Sequence, residues 1–414
     1  MSKLWGSPSN WLLVSAAIYV LLGMFFRWGN LSTNPIIDAD GKGYYAYLPA
    51  LFVYDDLAFG FVDEYESKYY ESTHYVHFTH RIGEVVVNKY FLGTSVLMAP
   101  FFALGHWAAQ VNGIAADGYS WPYQMAVCFA ALFWLFFGMW MWSRFLAERG
   151  FARSTQCLAL FAMLFGTGLF YYALAKPSAS HVYSTAMVCA ALFLSHRVFA
   201  QRGRWPLILL GAVLGLIALI RPTNLLVAVA LPFVASDFET LRKQLPNKQN
   251  RMKWLLALLA FAAVCSLQPL MYWFQTGSPW VWSYGEEGFD FTHPEIINVL
   301  FSYRKGLFVY TPLAVVGLMG VVWRFKTNPF QAGFVTTFFV LATWVISSWW
   351  CWYYGGSFGM RPYLEYLPIL LMGLPWVMEH ALRKWKVVIS CLVLLLAYVN
   401  VIQSYQFHQN IMLW

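Results

Sequence analysis

The sequence predicts an all-α, polytopic membrane protein: a single integral-membrane domain of about eleven transmembrane helices, with one long loop on its outer face. Three observations carry that prediction. Of the 414 residues, 60% are hydrophobic and only 11% are charged, against about 25% charged in a soluble domain; mean hydropathy is +0.53. Apolar runs of 15–22 residues, several of them short of the about 17–25 that cross a bilayer, recur along the chain. The Lys and Arg residues gather in alternate loops, as the positive-inside rule requires.

The runs fall at 11–26, 121–142, 155–175, 181–199, 206–220, 222–236, 254–274, 307–323, 331–349, 363–380 and 386–404. Lys3 precedes the first. Arg144, Arg149 and Arg153 separate the second and third, and Arg197, Arg202 and Arg204 follow the fourth. Arg242, Lys243, Lys248, Arg251 and Lys253 follow the sixth, Arg324 and Lys326 the eighth, and Arg383, Lys384 and Lys386 the tenth. These loops share one face, which the rule makes cytoplasmic. A further apolar run, 90–109, contains Pro100 and Gly105 and breaks the alternation if it spans. It is therefore read as a helix lying in the outer interface or entering only part way.

The outer face carries residues 27–120, far longer than a connection needs, then residues 275–306, and a short glycine-rich stretch at 353–362. The chain ends with its last span and a short tail, so no C-terminal soluble domain is expected. The net charge of +8 is scattered through short loops, which argues against nucleic acid as a partner. The six cysteines lie in or beside apolar runs with no CxxC pair, which argues against a disulfide framework or a zinc site. The 21 Trp and 25 Tyr suit interfacial belts.

Asp38 and Asp40 stand a few residues beyond the first span. Carboxylates so near hydrocarbon are costly and are read as functional. Two apart, they point the same way in an extended segment; one then serves as general base while the other orients it or binds a metal. Gly41 and Gly43 loosen the backbone beside them, and Tyr44 and Tyr45 follow. Outer-face cations stand near span ends: Lys89, Lys176, Arg221, Arg304, Lys305 and Arg361. A lipid phosphate needs such cations; snorkelling to ordinary headgroups is the alternative. His74, His77 and His80 fall at i, i+3 spacing on a helix. Their spacing matches no metal motif, so they are read as polar residues in contact with substrate. No cofactor is identified, although Glu71 and Glu84 nearby keep a divalent metal open. His181, at the outer start of a span, is placed to hydrogen-bond a sugar or phosphate. Tyr44, Tyr45, Trp349 and Tyr354 either stack on a sugar or belong to the belt.

The loop Asp40-Gly41-Lys42-Gly43-Tyr44 resembles the Asp-Glu-x-x-Tyr loop of the GT-C glycosyltransferases, which include protein O-mannosyltransferases and lipid A aminoarabinose transferases. Gly41 stands where the family has Glu, and Asp38 is added upstream, which leaves open which aspartate acts. The stretches 89–93, 177–184, 221–224, 306–312 and 355–361 also resemble members of the superfamily. The resemblance implies a GT-C-like bundle in a bacterial inner membrane. It implies a polyprenyl-phosphate-sugar donor, a lipid, glycan or protein acceptor, and a cavity facing the periplasm. Transfer would be an inverting displacement with an Asp base, and outer-face Arg or Lys would hold the departing lipid phosphate. A transporter or flippase would place polar groups within several spans, whereas these spans read almost free of charge. A polymerase or ligase of lipid-linked glycans fits the cations but has less need of the acidic loop.

Overall fold

The computed structural model describes residues 7–31, 34–70, 78–203 and 205–412. Helix α1 (Pro8–Phe26) starts where the Ser7 hydroxyl accepts from Asn10 N and Pro8 pre-sets the first turn. The first large loop folds into α2 (Asp40–Phe52), α3 (Val62–Tyr69), a hairpin of β1 (Thr79–Ile82) and β2 (Val85–Asn88), and α4 (Gly93–Val111). The hairpin was not expected. Its antiparallel register pairs Thr79 with Asn88 and Ile82 with Val85, with Gly83 at φ 60° in the two-residue turn. His80 therefore sits on a strand, not on a helix with the other two histidines. His74 and His77 lie outside the described residues.

The bundle follows: α5 (Trp121–Glu148), α6 (Arg153–Phe165), α7 (Leu169–Ala175), α8 (His181–Phe199) and α9 (Trp205–Ile220). A broken helical segment, 222–234, contains α10 (Val227–Ala230) and leads to α11 (Phe238–Gln244). Then come α12 (Arg251–Cys265), α13 (Leu267–Thr276), α14 (Ile296–Phe301), α15 (Leu307–Tyr310), α16 (Leu313–Arg324) and α17 (Pro329–Ser347). A 3-10 turn (Arg361–Tyr366) precedes α18 (Leu367–Leu370), α19 (Gly373–His380) and α20 (Arg383–His408).

Among the described residues, six helices are long and apolar enough to cross a membrane, or up to eight if each of two bent pairs is one span. That is fewer than the eleven runs expected. The difference lies in the runs at 206–220 and 307–323, which fold as short helices, and at 363–380, which is broken by Pro368 and Pro375. The α4 helix is not among the six.

Small residues let the helices approach closely, as in lipid they must. A Cβ on Gly138 of α5 would stand 2.7 Å from Ala186 Cα of α8. The core is built from α5, α7, α8 and residues 358–376, around Trp142, Tyr183 and Trp376. Leu13, Leu21 and Phe25 of α1, and Leu255, Leu258 and Leu259 of α12, are exposed on the outside, as lipid-facing side chains are. One end of the bundle is basic: Glu148 gathers Arg144, Arg197 and Arg202 at 3.5, 2.7 and 3.0 Å. The acidic loop lies at the other end, where α1 finishes.

Candidate active site

The backbone of residues 36–40 is fixed from several sides. Gln124 Oε1 accepts from Ile36 N and Ile37 N at 2.8 and 2.9 Å, and Ser178 Oγ donates to Ile36 O at 2.9 Å. Ala39 holds φ 46°, a conformation that L residues avoid, and α2 begins at the next residue. This turn separates the two aspartates. Asp38 Oδ2 faces Arg27 at 2.8 Å and Lys176 at 2.7 Å. Arg27 also donates to Ala175 O at 2.9 Å, so the group ties the end of α1 to the end of α7. Burial pushes the Asp38 carboxyl up, but Lys176 and Arg27 outweigh it and hold it below the usual carboxylate range.

Asp40 turns the other way, into a cavity of about 240 Å³. Its Oδ2 pairs with Arg361 Nη1 at 2.5 Å, and its Oδ1 accepts from Tyr90 Oη at 2.8 Å. Burial pushes its carboxyl up; the Arg361 charge, the Tyr90 hydrogen bond and the Arg221 charge outweigh that and bring it down to about 2. The position in the first turn of α2 also suits an acid. The two glycines serve this packing. A Cβ on Gly41 would meet Ser178 Oγ at 2.0 Å, and one on Gly43 would meet the Tyr90 ring at 2.2 Å.

Arg221, at the end of α9, donates to Tyr44 Oη through Nε at 3.2 Å and Nη2 at 3.0 Å. Its Nη1 stands 3.7 Å from Glu365 Oε1. Glu365 is wholly buried. It faces His181 Nδ1 at 3.2 Å and Asn224 Nδ2 at 3.4 Å, and Asn224 Oδ1 accepts from Tyr366 at 3.0 Å. The cavity walls are aromatic: Tyr284 and Trp349 in T-shaped contact at 5.7 Å, with Tyr90, Tyr354 and Trp282. Glu287 also lines the cavity, paired with Lys89.

The expected site residues thus divide. Asp40, Arg221 and Arg361 line the cavity; Tyr44 is linked to it through Arg221, His181 through Glu365 and then Arg221, and Lys89 through Glu287. Tyr45 points away and donates to Gly118 O at 2.5 Å. Arg304 stacks 3.5 Å over the Tyr353 ring. Lys305 is buried against Ser357, and burial with the Arg361 and Arg304 charges brings its amine down to about 7. His80 packs against Gly285 of the second loop. Sequence reasoning missed Glu365, although a carboxylate inside the apolar run 363–380 is a signal in itself. Among the described residues no group of three or more His, Cys, Asp or Glu is placed to hold a metal ion. Asp40 and Glu287, the carboxylates lining the cavity, are each tied to a cation.

No family model matches the chain, and no curated protein matches it. Solved structures do. The Archaeoglobus fulgidus oligosaccharyltransferase in the apo form aligns with a TM-score of 0.53 and 12% identity, over 97% of this chain and 56% of that one. Its complex with Zn and sulfate aligns at 0.51 and 13%, over 96% and 53%. The chain spans just over half the length of that protein. The likeness is one of fold.

Proposed function

We propose that this chain is a membrane glycosyltransferase of the GT-C type, which moves a sugar from a polyprenyl-phosphate-linked donor to an acceptor at the outer face of a bacterial inner membrane. One observation carries the reading: Asp40, Arg361 and Arg221, from three separate parts of the chain, meet in one cavity at the end of the bundle opposite the basic loops. The Asp40 carboxylate beside two arginines and an aromatic wall suits an uncharged sugar, a hydroxyl to be deprotonated and an anionic leaving group.

The acceptor hydroxyl gives its proton to Asp40 as its oxygen bonds to the anomeric carbon. The bond from that carbon to the phosphate oxygen breaks on the opposite side, and its electron pair leaves with the lipid phosphate. Arg361 and Arg221 stabilise that charge. Tyr44 and the Glu365–Asn224 pair keep Arg221 aimed at the cavity. Glu287 and Tyr284 belong to the second large loop, which forms the outer wall and excludes water. No step runs through a metal. A lipid-linked oligosaccharide is the second donor class, favoured by the name of the solved neighbour.

The test is release of free polyprenyl phosphate from labelled polyprenyl-phosphate sugars by the purified chain in nanodiscs. The expected result is release that depends on an added acceptor. Label that stays on the lipid with every donor and acceptor offered overturns the reading.

A further inference from the structure

Both cations that line the cavity already face a carboxylate: Arg361 pairs with Asp40 at 2.5 Å, and Arg221 lies 3.7 Å from Glu365. An anion entering the cavity therefore meets no free positive charge among the described residues. Glu365 is wholly buried and held by His181 and Asn224, so it has nowhere to go. Asp40 is different. It lines the cavity itself, and among the described residues its other oxygen accepts only from the Tyr90 hydroxyl. The Arg361 Nε is buried and lacks a partner among the described residues, so its guanidinium has donor capacity to spare.

We infer that the donor's phosphate and the Asp40 carboxylate compete for Arg361, so that seating the lipid phosphate breaks the Asp40–Arg361 pair and frees Asp40 to take the acceptor's proton. The inference rests on the glycosyltransferase reading above. The physical reason is like-charge repulsion: a phosphate within hydrogen-bond reach of Arg361 lies beside the Asp40 carboxylate in a partly dry site, where two anions do not share one cation cheaply. While paired, the carboxyl sits at about 2 and is a poor base; once Arg361 is taken, it regains basicity. Base strength is then coupled to donor occupancy, and an empty site holds no strong base. After transfer, the protonated Asp40 loses its proton to water as it pairs again with Arg361, which loosens the product phosphate.

The inference is tested with farnesyl phosphate, a soluble short-chain polyprenyl phosphate, and farnesol, its neutral counterpart, binding to the full chain in nanodiscs. Wild type is expected to prefer farnesyl phosphate. Asp40→Asn is expected to bind farnesyl phosphate about tenfold more tightly than wild type, the lower end of what one charge-assisted hydrogen bond contributes. Farnesol binding is expected to be unchanged. Asp40→Ser serves as a second uncharged variant should the first fold poorly, and Asp40→Glu, which keeps the competing charge, is expected to show no gain. In an Arg361→Gln background the gain is expected to vanish. Equal or weaker farnesyl phosphate binding by both uncharged variants overturns the inference, as does a gain undiminished by Arg361→Gln, which would be general electrostatics. Wild type that shows no preference over farnesol overturns the lipid-phosphate reading itself.

Discussion

At the scale of single residues, the two aspartates of one short loop hold different positions, and substitutions should separate them. Asp40→Asn keeps size and most hydrogen bonding but cannot accept a proton at neutral pH. Its turnover, measured as polyprenyl phosphate release, should fall by about 10²–10⁴-fold, the usual contribution of a positioned base. Asp38→Asn leaves Arg27 and Lys176 facing each other without a carboxylate. It should lower the melting temperature, by a loss of about 1.5–3 kcal/mol for a charged contact, while the surviving protein turns over better than Asp40→Asn. Glu365→Leu strands buried partners and should cost about 3–5 kcal/mol, whereas Glu365→Gln should be milder because the Asn224 and His181 contacts can persist. Acid should act late on both loop carboxyls. Each is held below its usual range, so the stability it contributes is present above that range and is lost only as pH falls through the lowered value, about 2 for Asp40. The importance of this loop was legible because carboxylates are rare beside apolar runs. Its split was not, because it depends on one positive φ at Ala39, where glycine would have signalled the turn and alanine did not.

At the scale of elements, the length of apolar runs located most helices but not their breaks. The runs at 155–175 and 363–380 read as continuous, yet the first bends by 55° between α6 and α7 and the second divides into three pieces. Pro368 and Pro375 were a readable cause of the second break. The hairpin was legible too, in Thr79 to Ile82 and Val85 to Asn88 around a Gly83-Glu84 turn, although the three-residue spacing of the histidines fits a helix. Helix contacts built on small residues give a direct test. Gly138→Leu forces a side chain against Ala186 and should destabilise by about 1–3 kcal/mol or more, read as a lower melting temperature in detergent. The same change at Gly333, where a Cβ meets no atom within 4 Å, should leave it nearly unmoved.

At the scale of the whole molecule, charge separates the two ends of the bundle. Single cysteines introduced as Arg149→Cys, Lys248→Cys and Lys384→Cys should react with an impermeant thiol reagent from the cytoplasmic side only. Glu287→Cys should react from the other side only. Labelling of Glu287→Cys and Lys248→Cys from one side would overturn the proposed orientation.

One contact bears on the path of the backbone as a whole. His408 Nε2 lies 2.8 Å from Phe26 O, and the His408 and Phe26 rings stack at 5.4 Å. The last turn of α20 and the last turn of α1 are thus at the same end of the bundle, and α1 began at the opposite end. If α1 crosses the bilayer, the path from Pro8 to His408 starts on one side and finishes on the other, so its number of crossings is odd. Six, the number of long apolar helices among the described residues, is even, whereas seven, with one of the two bent pairs as a span, is odd. The six long helices alone therefore do not account for the path. At least one short or broken piece, such as the 16 residues of α9 or the 12 of α16, has to carry the chain from one leaflet to the other.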